Sequence, residues 1–342
     1  MDLRKDNSTP EEQSSQPEES LQQPTLDTSP VLRTYESMKA EIKKLIIGND
    51  SLLELTLIGM LSGGHILIEG VPGVAKTLLS RLIARTIGIN FQRIQFTPDL
   101  MPADLLGTSI FNIKESEFEF KKGPIFSNLI LIDEINRAPA KTQAALLEVM
   151  EEKQITIDGT TYDMSLPFFV IATQNPVEHE GTYRLPDAQL DRFLFKLKVP
   201  HPGLEDEKAI LNRFKNQFNS KVSEEEVNKV VTPEDILACQ SIIEQVHIKD
   251  ELIDYIARIV HETRNHGEIY LGASPRASLS ILRTAKGIAA MRGRDFVTPD
   301  DIQYVCTPVL NHRIILTPEK EMSGGTDVEV IKGILKEIEV PR

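Results

Sequence analysis

Cysteine is scarce in this sequence of 342 residues, and long apolar runs are absent. The two cysteines, Cys239 and Cys306, have no paired spacing, so neither a disulfide framework nor a zinc site is supported. No apolar run approaches the ~20 residues that a membrane helix needs, and the N-terminus has no signal-peptide core. We therefore expect a cytoplasmic protein in a reducing compartment, and not an integral membrane protein.

An excess of positive charge is also missing. The chain has 51 Asp and Glu residues against 38 Lys and Arg residues, for a net charge of -13. This balance argues against a general affinity for nucleic-acid phosphates, although it leaves room for a local basic stripe. A hydrophobic content of 40% and a charged content of 26% are ordinary for a globular protein. The length suits two domains at about 150 residues each.

Composition and periodicity divide the chain into three segments. Residues 1–30 have four prolines, no aromatic residue and seven acidic residues against two basic ones, which predicts a disordered acidic tail. Residues 31–202 alternate helical stretches with short apolar runs, a pattern typical of a parallel sheet covered on both faces. The five runs are HILIE (65–69), FQRIQF (91–96), LILID (129–133), FFVIAT (168–173) and FLFKLKV (193–199).

Residues 203–342 carry helix start signals and little strand signal, so we predict an all-helical domain. Thr232-Pro233 and Thr298-Pro299 each place a capping threonine before a proline at the first helical position. Acidic residues follow both prolines, where the positive end of the helix dipole favours them.

Two inserts interrupt the α/β segment. Residues 108–122 alternate in polarity around a polar centre, and residues 153–166 carry Asp158-Gly159 between β-rich flanks. Both patterns predict hairpins, the second more strongly because Asp-Gly suits a two-residue turn. They could simply extend the sheet, but their place beside the candidate site suggests a working surface.

The sequence GVPGVAKT at residues 70–77 is close to a phosphate-binding loop, G-x-x-x-x-G-K-[ST], with Ala75 in place of the second glycine. A strand precedes it and a helix follows, as such a loop requires. Alanine is small and tolerates a right-handed backbone, so we expect it to be accommodated. The predicted nucleotide-binding residues here are Gly70, Val71, Pro72, Gly73, Val74, Ala75, Lys76, Thr77 and Leu78.

Polar residues of this loop and of the strand LILID suggest phosphoryl chemistry. Lys76 is predicted to reach the β- and γ-phosphate oxygens of ATP, and Thr77 to ligate Mg²⁺. Asp133 ends a buried strand at the sheet edge where ligands bind, so it is predicted to hold the Mg²⁺ shell. Glu134 is predicted to polarise the attacking water. A strand capped by two solvated acids is the alternative for this pair.

Three further residues are candidates for the same chemistry. Asn175 follows the strand VIAT and would place an amide near the γ-phosphate, unless it only forms a turn before Pro176. Arg192 follows a short helical segment and is a surface ion-pair residue unless a neighbouring subunit brings a phosphate to it. Arg276 sits in the first turn of a helix, where the helix dipole disfavours a cation, and a bound anion would explain an arginine at this position.

These elements, in this order, resemble the AAA+ ATPases, and the match narrows to the MoxR family over about residues 31–320. It includes NRAPAKTQAALLEVMEEKQITIDG (136–159), VIATQNPVEHEGTYRLPDAQLDRFLFKLKVPHP (170–202) and YLGASPRASLSILRTAKGIAAMRGRDFVTPDDI (270–302). The resemblance implies an AAA+ P-loop core with a parallel five-stranded sheet, two inserted hairpins and an all-α lid domain. In this family alanine is usual at the position of Ala75.

The resemblance also implies roles for single residues. Asn175 looks like sensor 1, Arg192 like the arginine finger and Arg276 like sensor 2, while Ile47-Gly48 matches the segment that lies against the adenine. Arg184, where the family usually has proline, is a second candidate for the arginine supplied in trans. Asn49 in place of glutamine and DLLG (104–107) in place of DITG are further departures.

From these features we expect a hexameric ring that hydrolyses Mg·ATP between its subunits. The resemblance implies a chaperone-like role in maturing protein complexes or inserting metal cofactors, with a partner that bears a von Willebrand factor A domain. One alternative is a nucleic-acid motor of the same clade, but the inserts have mixed charge, so no nucleic-acid partner is expected. A non-catalytic nucleotide switch is the other alternative, which the presence of Glu134 and Asn175 disfavours.

Overall fold

The computed structural model describes residues 26–70, 75–175, 183, 185–215 and 224–341. Its strands are β1 (Ile66–Gly70), β2 (Phe91–Gln95), β3 (Gly107–Asn112), β4 (Glu117–Lys122), β5 (Leu129–Asp133), β6 (Gln154–Ile157), β7 (Thr160–Asp163), β8 (Phe169–Gln174), β9 (Phe195–Val199), β10 (Ile269–Leu271) and β11 (Ile315–Leu316). Its α-helices are α1 (Ser29–Lys43), α2 (Asp50–Leu61), α3 (Lys76–Ile87), α4 (Pro102–Leu106), α5 (Ala140–Glu152), α6 (Asp187–Leu190), α7 (Leu204–Phe214), α8 (Pro233–Gln245), α9 (Asp250–Asn265), α10 (Pro275–Met291), α11 (Pro299–Leu310), α12 (Pro318–Met322) and α13 (Asp327–Glu337).

The five predicted strands form one parallel sheet in the order β2-β5-β8-β1-β9. Every residue of the interior strand β5 is buried, which explains its uninterrupted apolar run before Asp133. Because the strands are parallel, the carboxyl ends of β5, β8 and β1 lie side by side at one edge of the sheet. The predicted parallel five-stranded sheet is therefore confirmed.

Each face of the sheet packs into its own hydrophobic core. On one face Ile66 and Ile171 join buried side chains of α1, α2 and α3 and of the C-terminal helices, such as Ile281. On the opposite face Leu67 and Val170 pack with side chains of α5 and the first strand of the second insert. The helices after residue 232 thus share a core with the sheet.

Within the described residues, no helix is long and apolar enough to cross a membrane.

Both inserts are hairpins, as predicted: β3 pairs with β4 and β6 pairs with β7. Asp158 and Gly159 both have positive φ angles, of 50° and 79°, as the two-residue turn between β6 and β7 requires. The hairpins contact each other, because the rings of Phe120 and Tyr162 are 4.6 Å apart and Ser109 donates a hydrogen bond to Asp158. This contact connects the two inserts as one unit.

The fold differs from the sequence prediction at two places. Helix α1 begins at Ser29, and Thr28 is buried, so residues 26–30 belong to the folded part and not to the disordered segment predicted for 1–30. Pro30 in the first helical turn is the signal that marks this start. Residues 1–25 lie outside the described residues. The C-terminal segment is helical except for the antiparallel pair β10–β11, whose strands of three and two residues are too short to show a period.

Both predicted start signals of the C-terminal segment form capping boxes, at Thr232 and at Thr298. The second box contains a buried carboxylate, because Asp301 is fully buried and accepts hydrogen bonds from Thr298, Arg292 and Arg294. Burial alone would raise the pKa of Asp301, but the hydrogen bonds from Arg294 and Thr298 outweigh it and hold the pKa below 3.8. Asp301 therefore stabilises the start of α11 as an anion.

We predict that Asp301→Asn lowers the free energy of unfolding by about 2 kcal/mol, since it leaves the two arginines without their carboxylate. The folded-state pKa of Asp301 is lower than its unfolded value, so this contribution is present above about pH 4 and is lost as the pH falls through the folded-state pKa. Urea unfolding at pH 7 measures the effect. The control is Asp300→Asn in the same helical turn, where Asp300 is exposed. Equal stability of the two variants would contradict this role.

Candidate active site

A cavity of about 450 Å³ opens at the carboxyl ends of β1, β5 and β8. Open α/β sheets bind their ligands at this edge. The described residues that line the cavity are Gly70, Ala75, Lys76, Thr77, Leu78, Arg81, Arg93, Gln95, Asp133, Glu134, Thr173 and Asn175. The predicted loop, the acidic pair and Asn175 therefore meet in one place, although residues 71–74 lie outside the described residues.

Lys76 is the first residue of α3, and its Nζ donates a hydrogen bond of 2.6 Å to the carbonyl of Gly70. Burial lowers the pKa of Lys76, while the nearby carboxylates of Asp133 and Glu134 act in the opposite direction. The amine thus lies at the N-terminal end of a helix, where the dipole favours anions. This arrangement suits an anionic phosphate group.

The backbone of Ala75 is left-handed, with φ 59° and ψ 20°. Our expectation of a right-handed conformation at this position was wrong, because the chain enters α3 through a left-handed residue. Glu134, between β5 and the following short helix, is also left-handed, with φ 56°. Each such residue costs roughly 1–2 kcal/mol when it carries a side chain. Two of them beside one cavity place backbone strain where functional sites often hold it.

The carboxylate of Asp133 is buried and fixed from two neighbouring strands. Its Oδ1 accepts a hydrogen bond of 3.2 Å from the Thr173 hydroxyl, and its Oδ2 accepts one of 2.5 Å from Nε of Arg93. The same Thr173 oxygen accepts a hydrogen bond of 3.0 Å from the backbone N–H of Glu134. Thr173 therefore fixes the positions of both acidic residues.

The carboxylate of Glu134 is held through one of its oxygens. Oε2 accepts a hydrogen bond of 2.6 Å from Nε2 of Gln95 and one of 3.0 Å from Arg137. Gln95 is the last residue of β2, the edge strand beside β5. The edge strand thus sets the direction of this carboxylate within the cavity.

The oxygen donors of the cavity fit Mg²⁺ that arrives with a phosphate ligand. Asp133 offers a carboxylate and Thr77 a hydroxyl, both ligand types that Mg²⁺ prefers, and Mg²⁺ usually binds through one or two carboxylates plus phosphate oxygens. Among the described residues, no group of three or more His, Cys, Asp and Glu side chains could hold a metal by itself. The side chain of Arg93 is half exposed, so its ion pair with Asp133 is screened by solvent.

Arg192 and Arg276 do not lie among the described residues that line this cavity. They lie together in a second cavity of about 380 Å³, which also includes Glu151 and Arg283. The carboxylate of Glu151 accepts contacts of 2.9 Å from Arg192 and 2.6 Å from Arg276. In this structure a side chain of the protein itself, Glu151, lies against Arg276, and the bound anion expected there stays a prediction.

The other predicted site residues, Ile47, Gly48 and Arg184, are not among the described residues that line either cavity. Ile47 and Gly48 lie in the turn between α1 and α2, outside the described group that lines the first cavity. Gly48 has φ 69°, a left-handed conformation that favours glycine, and a Cβ there would come within 2.6 Å of the Asp206 carboxylate, which would have to move. Arg184 lies outside the described residues.

Sequence reasoning missed four polar residues that line the first cavity: Arg81, Arg93, Gln95 and Thr173. Arg93 and Gln95 are two positions apart near the end of β2, so they project from the same face of the strand. That spacing was visible in FQRIQF, but an edge strand with polar residues is ordinary and gives no functional signal by itself. Thr173 ends an otherwise apolar run, where it reads as one more buried strand residue.

Comparisons with known proteins agree with this geometry. A family model described as an ATPase family associated with various cellular activities (AAA) matches residues 65–195, and a model of the AAA lid domain matches residues 261–334. Chaperone MoxR1 of Mycobacterium tuberculosis is 44% identical over 320 residues, which cover 91% of this chain and 83% of that protein. Protein YeaC of Bacillus subtilis, described as uncharacterized, is 44% identical over 88% of this chain and 92% of its own length.

A solved structure gives the same result. The crystal structure of a protein from Cytophaga hutchinsonii, assigned as an ATPase, superposes with a TM-score of 0.84 at 44% identity, and covers 92% of this chain and 98% of that one. The fold is therefore the AAA+ core with a helical lid, as the resemblance implied. The chain belongs to the MoxR family of AAA+ ATPases.

Proposed function

We propose that this protein hydrolyses Mg·ATP between the subunits of a hexameric ring and uses the energy to remodel protein complexes, as a chaperone does. The observation that carries the proposal is the meeting of Lys76, Asp133 and Glu134 in one cavity at the sheet edge. A relative of 44% identity is named a chaperone, which supports the remodelling role. Maturation of complexes and insertion of metal cofactors are the two forms of remodelling that the family resemblance favours.

In this proposal five side chains of the cavity have assigned roles. Lys76 contacts the β- and γ-phosphate oxygens, and Thr77 and Asp133 hold Mg²⁺, which neutralises charge on those oxygens when it is bound. Glu134 orients and polarises the attacking water through Oε1, since Oε2 is engaged by Gln95 and Arg137. Asn175 lines the same cavity and is proposed to contact the γ-phosphate or the water.

The position of the arginines supports hydrolysis between subunits. Arg192 and Arg276 line a second cavity and are not among the described residues that line the cavity of Lys76. A neighbour in a ring can supply both, and an arginine supplied in trans stabilises the charge that develops on the transferred phosphoryl group. Ile47 and Gly48 are proposed to lie against the adenine.

We predict that Lys76→Ala abolishes nucleotide binding, and that Glu134→Gln binds ATP but turns it over at least about a hundredfold more slowly. Lys76 supplies charge to the bound phosphates, whereas Glu134 acts only on the water. Nucleotide affinity and phosphate release, measured with and without Mg²⁺, separate these effects. Native turnover by the Glu134→Gln protein would show that Glu134 has no catalytic role.

The hydrogen bond from Gln95 to Glu134 gives a second prediction. Gln95→Ala frees the Glu134 carboxylate to rotate, so we expect kcat to fall by about tenfold, because a misplaced catalytic group is costly. The affinity for ATP should stay within about twofold, since no phosphate contact is lost. Gln92→Ala is the matched control, because Gln92 is an exposed glutamine on the same strand. An equal change in both variants would refute the positioning role of Gln95.

The first insert presents an apolar surface suited to a polypeptide. Ile113 and Phe118 are 83% and 75% exposed, and Phe111 packs against Phe118 at 5.2 Å between ring centroids. Phe120 and Tyr162, in contrast, are used in the contact between the two inserts. Exposed apolar residues on a strand pair favour a protein client over a phosphate backbone. A partner with a von Willebrand factor A domain is one such protein.

We predict that the Glu134→Gln chain with ATP captures protein partners from its native cell, and that adding Phe111→Ser and Phe118→Ser abolishes this capture. Phe296→Ser, at a phenylalanine of the helical segment that is as exposed as Phe111, should not abolish capture. The captured protein should stimulate turnover of the native chain, while single- and double-stranded DNA should not at physiological salt. Strong stimulation by DNA that declines as salt rises would instead support a nucleic-acid motor.

A further inference from the structure

Glu151 connects Arg192 and Arg276, the two arginines that line the second cavity and not the cavity of Lys76, here called the phosphate cavity. It stands in the last turn of α5, and its two carboxylate oxygens are divided between them: Oε2 is 2.9 Å from Arg192 and Oε1 is 2.6 Å from Arg276. The same guanidinium nitrogen of Arg192 donates a hydrogen bond of 2.9 Å to the carbonyl of Leu147, one turn earlier in α5. One carboxylate therefore occupies two cations that come from different parts of the chain.

A second set of contacts keeps the two arginines close to each other without Glu151. Asp191, the neighbour of Arg192, accepts a hydrogen bond of 2.8 Å from the hydroxyl of Ser274, the residue that caps the helix of Arg276. Asp191 also accepts one of 2.6 Å from Arg313, whose side chain is almost fully buried. Arg313 further donates to the carbonyl of Phe193. These contacts hold the segments that carry Arg192 and Arg276 next to each other.

The charge around the pair favours an anion. Arg283 and Lys153 line the same cavity, and the carboxylate of Asp191 is already paired with Arg313. Glu151 is therefore the carboxylate, among the described lining residues, that neutralises the open side of the pair. Two guanidinium groups that contact the same carboxylate can also bind one phosphoryl group, which offers three acceptor oxygens and a charge near -2.

The bond between Glu151 and the arginines is weak enough to be exchanged. The side chains of Arg192, Arg276 and Glu151 are 31%, 50% and 37% exposed, so solvent screens both ion pairs. Ion pairs of this exposure contribute little to stability. A phosphoryl group with more charge and more acceptor oxygens can displace a single carboxylate from such a position.

We propose that Glu151 is an internal counter-anion, which occupies Arg192 and Arg276 in the free subunit and is displaced by the terminal phosphate of a nucleotide held by the neighbouring subunit. The part that names this phosphate rests on the function proposed above. Because phosphate replaces Glu151, the two arginines leave Glu151 only when the neighbouring subunit holds a nucleotide. Glu151 thereby regulates the interface without contacting the nucleotide of its own subunit.

The test measures anion binding at the arginine pair, with no need for turnover. In the full-length Lys76→Ala chain, stabilisation by inorganic phosphate is followed through the thermal unfolding midpoint, since a ligand of the folded state raises it with concentration. Glu151→Gln removes the charge but keeps the side-chain shape, and it should tighten phosphate binding by about fivefold, as expected for losing two screened ion pairs. Glu152→Gln, the exposed neighbour with the same loss of charge, is the control and should have no effect.

The gain in phosphate affinity should disappear when Arg192→Ala and Arg276→Ala are added to the Glu151→Gln chain. Equal phosphate affinity in the Glu151→Gln and Glu152→Gln chains would overturn the proposal, as would a gain that survives loss of both arginines. A Glu151→Gln chain that binds no phosphate would overturn it as well. Absence of ATP turnover in the native chain would contradict only the proposed function, because this measurement does not depend on hydrolysis.

Discussion

The parallel register of β5, β8 and β1 is the constraint on which the site depends. Ile132 pairs with Ala172 and Ile68 pairs with Thr173, so the three strands end level with one another. The hydroxyl of Thr173 consequently lies between Asp133 and the backbone of Glu134, and it bonds to both. Because all three strands are buried, apolar packing fixes the position of these polar ends. The core thus determines the geometry of the phosphate cavity.

The same packing leaves a single subunit with a divided set of catalytic candidates. One cavity contains the lysine and the acidic pair, and another contains the two arginines with Glu151 between them. In the proposed mechanism the first cavity, although Lys76, Arg81 and Arg93 line it, still takes an arginine from a neighbouring subunit to stabilise the charge that develops on the transferred phosphoryl group. Assembly of subunits is the simplest way to combine them, and Glu151 occupies both arginines before assembly.

Much of the fold and the first cavity could be predicted from the sequence, because the loop, the acidic strand end and the hairpin turn each have a local pattern. The left-handed backbone of Ala75 could not, since it depends on how the loop meets α3. The partners of Glu134 and Arg276 could not either. Gln95 and Glu151 are ordinary polar residues whose contacts arise from strand pairing and from a side-chain contact between α5 and α10. Long-range contacts of this kind leave no periodicity in the chain.

The central claim is that Arg192 of one subunit acts on the nucleotide held by the next subunit, and mixed assemblies test it directly. Lys76→Ala subunits keep their arginines but bind no nucleotide, whereas Arg192→Ala subunits bind nucleotide but lack the arginine. Each should be nearly inactive alone. Mixed in equal amounts, they should regain roughly a quarter of native turnover per subunit, since that share of random interfaces pairs an intact cavity with an intact arginine. A mixture that stays as inactive as its components would contradict the account, as would full activity of Arg192→Ala alone.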